Sequence, residues 1–489
     1  MNLDASVHRS TPQKLQAVWQ DLQGLDISAD PQLLDVKSRD YYWYSPILKE
    51  QLDPCRAELL VRVRSEADVL RVAAACARHR LPLTIRGGGT GNYGQCVPLE
   101  GGLVVDVTGL NQVLAIEPGS VRVQAGMMIR DLEAAVRASS VVPGGQELLM
   151  FPSTRDTATI GGFIGGGYGG AGSVRNGILK DPGNVSLVRV VTVEDPPRII
   201  ELRDADIQKV HHAFGTNGIM TELTLALKPA VDWVHHIALF PSYRRALEFC
   251  VAATEACARA NPIRGETAAA AALSQTSGPA LDAFEITAVD QRFAPFYANA
   301  FGPRFPPGRD AVFSMVHPKD LDGWRALVQQ FGGEETMAMT EAELDAAQLV
   351  PAFECAWNHT TLMALRHDKS WTNLQTVYHW PLDIDLVVRQ MERYGDEVLM
   401  HHEFGRDSNG FVVFALPLVA YFDRDRIYEI IAEHEADGCL VFDNHVVTIE
   451  GGGMKTIDTA QIDFKKIADP HGLMNPGKTV GWKAEYVHA

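Results

Sequence analysis

Two stretches crowded with glycine constrain this chain more than any other feature. The first, LPLTIRGGGTGNYG (residues 81–94), runs a short apolar strand into a loop holding five glycines. The second, residues 143–177, reads PGGQELLMFPSTRDTATIGGFIGGGYGGAGSVRNG. Glycine lacks a Cβ, so its backbone can press against a flat or anionic group, while it weakens the interior of a packed helix or strand. The pattern predicts two ligand-hugging segments and no regular helix inside the second.

Spacing alone suggests a dinucleotide fingerprint, because Gly89-x-Gly91-x-x-Gly94 has the required glycines. That site also needs a helix directly after the turn, and an acidic residue about twenty positions on. Here QCVPLEGG follows, with Pro98 and two more glycines, and then the strand LVVDV. The second match, Gly165-x-Gly167-x-x-Gly170, lacks a preceding strand and a following helix in the same way. A nicotinamide-binding reading therefore fails. What survives is the anion chemistry of RGGGTGN. Consecutive glycines let N–H groups converge on phosphate oxygens, and Thr90 and Asn92 can add side-chain hydrogen bonds, which favours a diphosphate.

The chain of 489 residues is long enough for two to three domains. Its net charge of −17 is spread over interspersed acidic and basic residues, which disfavours nucleic acid and anionic membrane as partners. Seven cysteines stand apart with no C-x-x-C pair, arguing against a disulfide framework, an iron–sulfur cluster or a cysteine zinc site. No apolar run approaches the ~18 residues of a spanning helix. The first thirty residues lack an apolar signal core, so a cytoplasmic protein is expected.

Along the chain, TPQKLQAVWQDLQGL reads as a Thr-capped amphipathic helix, and Ser65-x-x-Asp68 as a capping box opening ADVLRVAAACARHR. LLVRVRS, LPLTIR, GGLVVDVTGL, SVRVQAG, SLVRVVTV and RIIEL read as strands, and MIRDLEAAVRAS as a helix. A Gly-Thr-Asn-Gly turn then leads into the alternating strand IMTELTLALKP. After Pro229, Ala-rich helices mix with aromatic, His-containing strands such as NLQTVYHWPL and EFGRDSNGFVVFALPLV. The expected division is an N-terminal helical segment (1–50), a cofactor domain (51–230), a substrate-binding cap (231–440) and a C-terminal return (441–489).

Four ordered motifs carry a resemblance: ARHRLPLTIRGGGTGNYGQ with GG-x-V-x-D, then QAG, then P-S-x-x-x-x-A-T-I-G-G, then G-T-N-G-I-M-T-E. Together they look like the flavin domain of the vanillyl-alcohol-oxidase and p-cresol-methylhydroxylase superfamily. The closing DPHGLMNPGK is similar to its D-lactate dehydrogenase and glycolate oxidase branch. The resemblance implies an α+β fold, a two-part FAD domain with a separate α+β cap, and oxidation of a CH–OH group by hydride transfer to flavin. By matching motifs, Arg86, Gly87, Gly88, Gly89, Thr90, Gly91 and Asn92 would cradle the FAD pyrophosphate. Pro152, Ser153, Thr154, Thr159, Ile160, Gly161 and Gly162 would run along the flavin, with Gly169 and Gly170 as a second glycine pair. Ile219 and Thr221 would lie on the adenine side, and Asn475 and Lys478 near the flavin from the C-terminal turn.

Thr90 stands where covalent members of the superfamily often place a histidine, so noncovalent FAD is expected. The paired histidines that bind a metal in some hydroxyacid enzymes are missing, so no metal site is expected. His445, in FDNHVVTIE, falls near the family's C-terminal catalytic histidine, and a neutral imidazole suits a general base. Arg366, in TLMALRHDK, resembles an arginine that pairs with substrate carboxylate, a role its fork of donors suits. Tyr378 sits on a strand expected to line the pocket. The substrate is then a 2-hydroxyacid or a bulky or aromatic alcohol, with oxygen, a quinone or a separate redox protein taking the electrons. A flavin-binding electron-transfer subunit is the other class of reading, and a homodimer is allowed.

Overall fold

Three short apolar runs, Leu59–Arg62, Leu83–Arg86 and Leu103–Asp106, pair in parallel in the computed structural model, which describes residues 10–275, 277–453 and 455–487. They are almost entirely buried, as the strands of a parallel sheet covered on both faces are. Asp26–Ser28 adds an antiparallel edge. The capping box forms as expected: the Ser65 side chain accepts from Asp68 N and the Asp68 side chain from Ser65 N, opening the helix Glu66–His79. Strands Leu83–Arg86 and Leu103–Asp106 are neighbours, yet they are joined by the glycine loop and not by a helix. Parallel pairing needs a connection of a dozen or more residues, and here residues 87–102 supply it as a loop.

A second sheet, antiparallel, is built from residues 113–229. Its central strand Ile219–Pro229 alternates buried and half-buried positions along nearly its whole length, the period-2 pattern seen in LTLALKP. The glycine-rich segment corrects one expectation. Ile160–Gly166 (IGGFIGG) is a helix capped by Thr159, whose side chain accepts from Gly162 N. Its glycines permit close approach: a Cβ on Gly161 would lie 2.7 Å from both the Cβ and the carbonyl oxygen of Ala125. Close packing on the turn that follows strand Ser120–Gln124 outweighs the loss of helix propensity.

The remaining large sheet has eight antiparallel strands drawn from residues 234–442. Helices Tyr243–Ala260 and Ile384–Tyr394 pack on one side, and the short helix Ser173–Asn176 meets strands Ala283–Val289 and His401–Asp407. The molecule is therefore a mixed α+β protein. EFGRDSNGFVVFALPLV, expected as one strand, is a hairpin of His401–Asp407 and Gly410–Ala415 turning at Ser408–Asn409.

The C-terminal turn returns to the first sheet, where Leu83 N donates to Leu473 O and Asn475 N to Leu83 O. A buried ion pair pins it. Lys465 Nζ lies 2.6 Å from Asp469 Oδ2 and also donates to Thr216 O, while the Asp469 carboxylate accepts from Leu473 N and Met474 N. Asp469→Ala leaves the ammonium buried without its counter-charge and should cost about 3–5 kcal/mol. Denaturant unfolding measures this.

Candidate functional site

A cleft of about 260 Å³ opens where the first glycine loop, the glycine helix and the large sheet meet. The two glycine segments lock together. A Cβ on Gly87 would lie 2.1 Å from Thr159 Oγ1, and one on Gly88 2.1 Å from the Thr157 carbonyl oxygen. Gly89 takes φ +69° and sits directly over the Arg86 guanidinium, 2.0 Å from where its Cβ would be. Arg86 donates to the carbonyls of Arg39 and Gly88, leaving its Nε without a partner. Asn92 Nδ2 is likewise buried and unpartnered. Below the loop the Lys478 ammonium donates to Gly94 O, and burial pushes it down to about 8. Burial pushes the Asp40 carboxyl up to about 6, with Lys478 opposing. Unused donors and two buried cations beneath a loop whose glycines pack directly on Thr159, Thr157 and Arg86 suit a diphosphate.

The other end of the cleft is aromatic and amide-lined. Tyr44, Tyr93, Trp357, Asn358, His359, Gln375 and Phe414 reach it. The Tyr93 hydroxyl donates to Gln375 Oε1, and Gln375 Nε2 donates to Asn358 Oδ1 at 3.3 Å. His359 Nδ1 lies 3.1 Å from Glu354 Oε2. Trp357 has φ 52° and ψ −138°, a strained conformation for a side-chain-bearing residue, and precedes the helix Asn358–His367. Its indole packs on Phe414 with centroids 5.4 Å apart.

Behind Trp357 two carboxyls are buried on neighbouring strands. Glu403 accepts from Trp357 N at 2.5 Å and lies 2.6 Å from His401 Nε2, and Glu285 accepts from the indole Nε1 at 3.4 Å. Thr287 Oγ1 stands 2.5 Å from Glu403 Oε2 and 2.8 Å from Glu285 Oε1. Burial pushes Glu403 up to about 7 and Glu285 well above the carboxylate range, the latter also because Glu403 stands beside it. Both keep their protons in the fold at pH values where an unfolded glutamate, titrating near 4.5, has lost its own. Stability should therefore fall as pH rises from about 4.5 to 7, by up to about 1.4 kcal/mol per pH unit for each retained proton. Glu403→Gln should flatten that slope in unfolding measured across this range.

Of the expected cofactor residues, Gly87 to Asn92, Pro152, Ser153, Thr154, Thr159, Gly161, Gly162 and Gly169 line the cleft. Arg86 and Lys478 support the loop from below. Asn475 braces it, donating to Gln95 O and Phe214 O. Ile160, Gly170 and Ile219 pack behind the wall, and the Thr221 hydroxyl donates to Glu66.

The three expected chemical groups lie elsewhere. His445 occupies a turn, its Nδ1 against Ser45 Oγ at 2.8 Å, and burial pushes it down to about 3. Arg366 is exposed at the C-terminal end of its helix, where a cation offsets the helix dipole. The Tyr378 hydroxyl donates to Gln390 at 2.6 Å, inside the packing of helix Ile384–Tyr394. The strand bearing Tyr378 does reach the cleft, but through Gln375 and Thr376. His359, in AWNHTT, was missed, although a Trp-Asn-His run opening a helix was a local signal.

Residues 57–195 match the FAD binding domain family. The chain carries an FAD-binding domain. Its cofactor is FAD, and the cradle described above fits that molecule's diphosphate. Similar proteins include D-lactate dehydrogenase of Anaerostipes hadrus, 31% identical over 210 residues, covering 40% of this chain and 41% of that one. Glycolate oxidase subunit GlcD of Bacillus subtilis is 30% identical over 126 residues, covering 25% of this chain and 26% of that one. The chain thus matches less than half the length of these relatives. Among solved structures, alkyldihydroxyacetonephosphate synthase superposes with a TM-score of 0.67 at 14% identity, covering 96% of this chain and 86% of that one. A BBE-like 1 variant of Physcomitrella patens gives 0.61 at 14% identity, covering 94% and 98%. These two share the fold. The resemblance read from the motifs agrees with the family match and the named relatives. Among the described residues no helix is long and apolar enough to cross a membrane.

Proposed function

We propose that this protein is an FAD-dependent oxidoreductase acting on a CH–OH donor, with residues 51–230 holding FAD and 231–440 forming the substrate side. The names of the relatives, D-lactate dehydrogenase and glycolate oxidase, support the reaction class. The observation that carries the reading is one continuous cleft, running from the glycine cradle to a His359–Glu354 pair.

Bound FAD supplies the two-electron acceptor for the hydride that leaves the alcohol carbon. Glu354 accepts from His359 Nδ1–H, which leaves the lone pair on Nε2 to take the hydroxyl proton. The C–H and O–H bonds break and a C=O bond forms. The amides of Asn358 and Gln375, linked to each other, orient the oxygen, and the surrounding rings exclude water. Oxygen, a quinone or a separate redox protein then takes the two electrons. With Thr90 in the loop, FAD is held noncovalently, so acid precipitation should leave the yellow colour in the supernatant.

Anaerobic mixing with a panel of hydroxyacids and benzylic alcohols tests the reading. Bleaching of the flavin bands by a CH–OH donor is expected; no bleaching by any of them would sink it.

A further inference from the structure

In the proposed function, hydride and proton leave neighbouring atoms of the alcohol for acceptors carried by different parts of the chain. The cleft wall of Pro152, Ser153 and Thr154 belongs to the glycine-rich segment, whereas His359 stands on the helix Asn358–His367 beside the large sheet. A misplacement of about 1 Å between reacting groups can cost on the order of 10²-fold in rate. The two walls must therefore be held in register, and one side chain, Arg155, reaches from the first to the second.

Arg155 follows Thr154 in a turn closed by Thr157 N and Ala158 N, which donate to Thr154 O at 2.9 and 2.8 Å. Its own carbonyl accepts from Arg130 N at 3.1 Å. The side chain, 12% exposed, leaves this turn for the other wall. Nη2 donates to Glu341 Oε1 at 2.7 Å and Nη1 to Oε2 at 3.3 Å, a two-pronged grip suited to a planar guanidinium. Glu341 opens the helix Glu341–Ala347 directly after strand Glu334–Thr340 of the large sheet. The same guanidinium lies over Phe353, 4.4 Å from the ring centroid, where the negative face of the ring attracts it. Phe151 packs edge-on against that ring, with centroids 5.1 Å apart.

Phe353 immediately precedes Glu354, the carboxylate beside His359 Nδ1, in the short turn Ala352–Cys355. Both ends of this turn are tied from the large-sheet side. His235 Nδ1 accepts from Ala352 N at 3.1 Å, and Cys355 O accepts from the hydroxyls of Tyr297 and Thr360 at 2.9 and 3.0 Å. Its middle is gripped from the glycine-rich side, through the Phe353 ring. Docking of the two walls has separate supports: Gly172 N donates to Phe284 O, and Arg175 Nε donates to Asp282 at 2.9 Å. Arg155 thus acts on local register and not on docking.

We propose that Arg155 is a positioning residue for the proton transfer: it ties the wall along which FAD lies to the turn bearing Glu354, and so sets His359 at its working distance from the flavin. This rests on the CH–OH reading above and extends its machinery to the seam between the two walls. No bond to Arg155 forms or breaks in the reaction.

Anaerobic stopped-flow reduction of the FAD-loaded protein by D-lactate, glycolate and benzyl alcohol supplies the rates. In Arg155→Ala the limiting rate of flavin reduction should fall about 10- to 100-fold, while FAD content and the half-saturating donor concentration change by less than about threefold. Hydrogen–deuterium exchange reads the same seam without turnover. The amides of residues 352–356 should exchange at least about tenfold faster in Arg155→Ala, and those of residues 172–176 at the unsubstituted rate. A limiting rate within about twofold of the unsubstituted protein overturns the proposal, as does a loss carried by FAD content or by the half-saturating concentration, or unchanged exchange at 352–356. Glu341→Gln keeps the side-chain shape and removes one prong of the grip. It repeats the test if Arg155→Ala does not fold, with a fall of about threefold or more expected and an unchanged rate overturning the proposal. If a donor reduces the unsubstituted protein and Arg155→Ala alike, only the positioning role falls. If none of the three reduces the unsubstituted protein, the CH–OH reading falls and takes this proposal with it.

Discussion

Gly88→Ala should yield a folded but nearly colourless protein. The added Cβ would lie 2.1 Å from the carbonyl oxygen of Thr157, a backbone atom that no rotamer change can move. The loop must shift away from the segment that carries Pro152, Ser153 and Thr154, and with it the N–H groups that converge on the diphosphate. Losing two charge-assisted hydrogen bonds at about 1.5–3 kcal/mol each weakens FAD on the order of 10²-fold or more. Equilibrium titration with FAD measures the loss, and the unfolding transition shows whether the apoprotein is intact. Affinity within about twofold of the unsubstituted protein would mean that this loop does not grip the cofactor.

His359→Ala should keep its FAD and lose turnover. The ring lines the cleft and its Nδ1 lies 3.1 Å from Glu354, so in the proposed function its other nitrogen would take the alcohol proton. Removing a positioned base lowers kcat by about 10²- to 10⁴-fold. Glu354→Gln, which weakens the orienting bond and leaves the base, should cost less. Stopped-flow reduction under anaerobic conditions isolates this step from reoxidation. An equal rate for His359→Ala would assign the proton to another group. His445→Ala, by contrast, should reduce at the unsubstituted rate, because that ring is packed against Ser45 away from the cleft.

Much of the scaffold could be read locally. The alternation of Ile219–Pro229, the capping box at Ser65 and Asp68, and the apolar runs of the parallel sheet each express a short-range rule. The glycine loop could also be read, because the absent helix after Gly94 is a local fact and dense glycine has few uses. The helix Ile160–Gly166 could not, since its Gly161 answers to Ala125, in the turn after strand Ser120–Gln124 and distant in sequence. The substrate end was least legible. It gathers Tyr44, Tyr93, His359, Gln375 and Phe414 from distant parts of the chain, and no spacing rule joins them. Arg366 and His445 have suitable chemistry, and only packing shows that one faces solvent and the other Ser45.

The most direct measurement is the visible spectrum and FAD stoichiometry of the purified protein, taken before and after reconstitution. The cradle of Gly87, Gly88, Gly89, Thr90, Gly91 and Asn92 predicts flavin absorption bands and about one FAD per chain, released by acid. Protein that stays colourless after incubation with excess FAD, while folded by its unfolding transition, would contradict the account at its base.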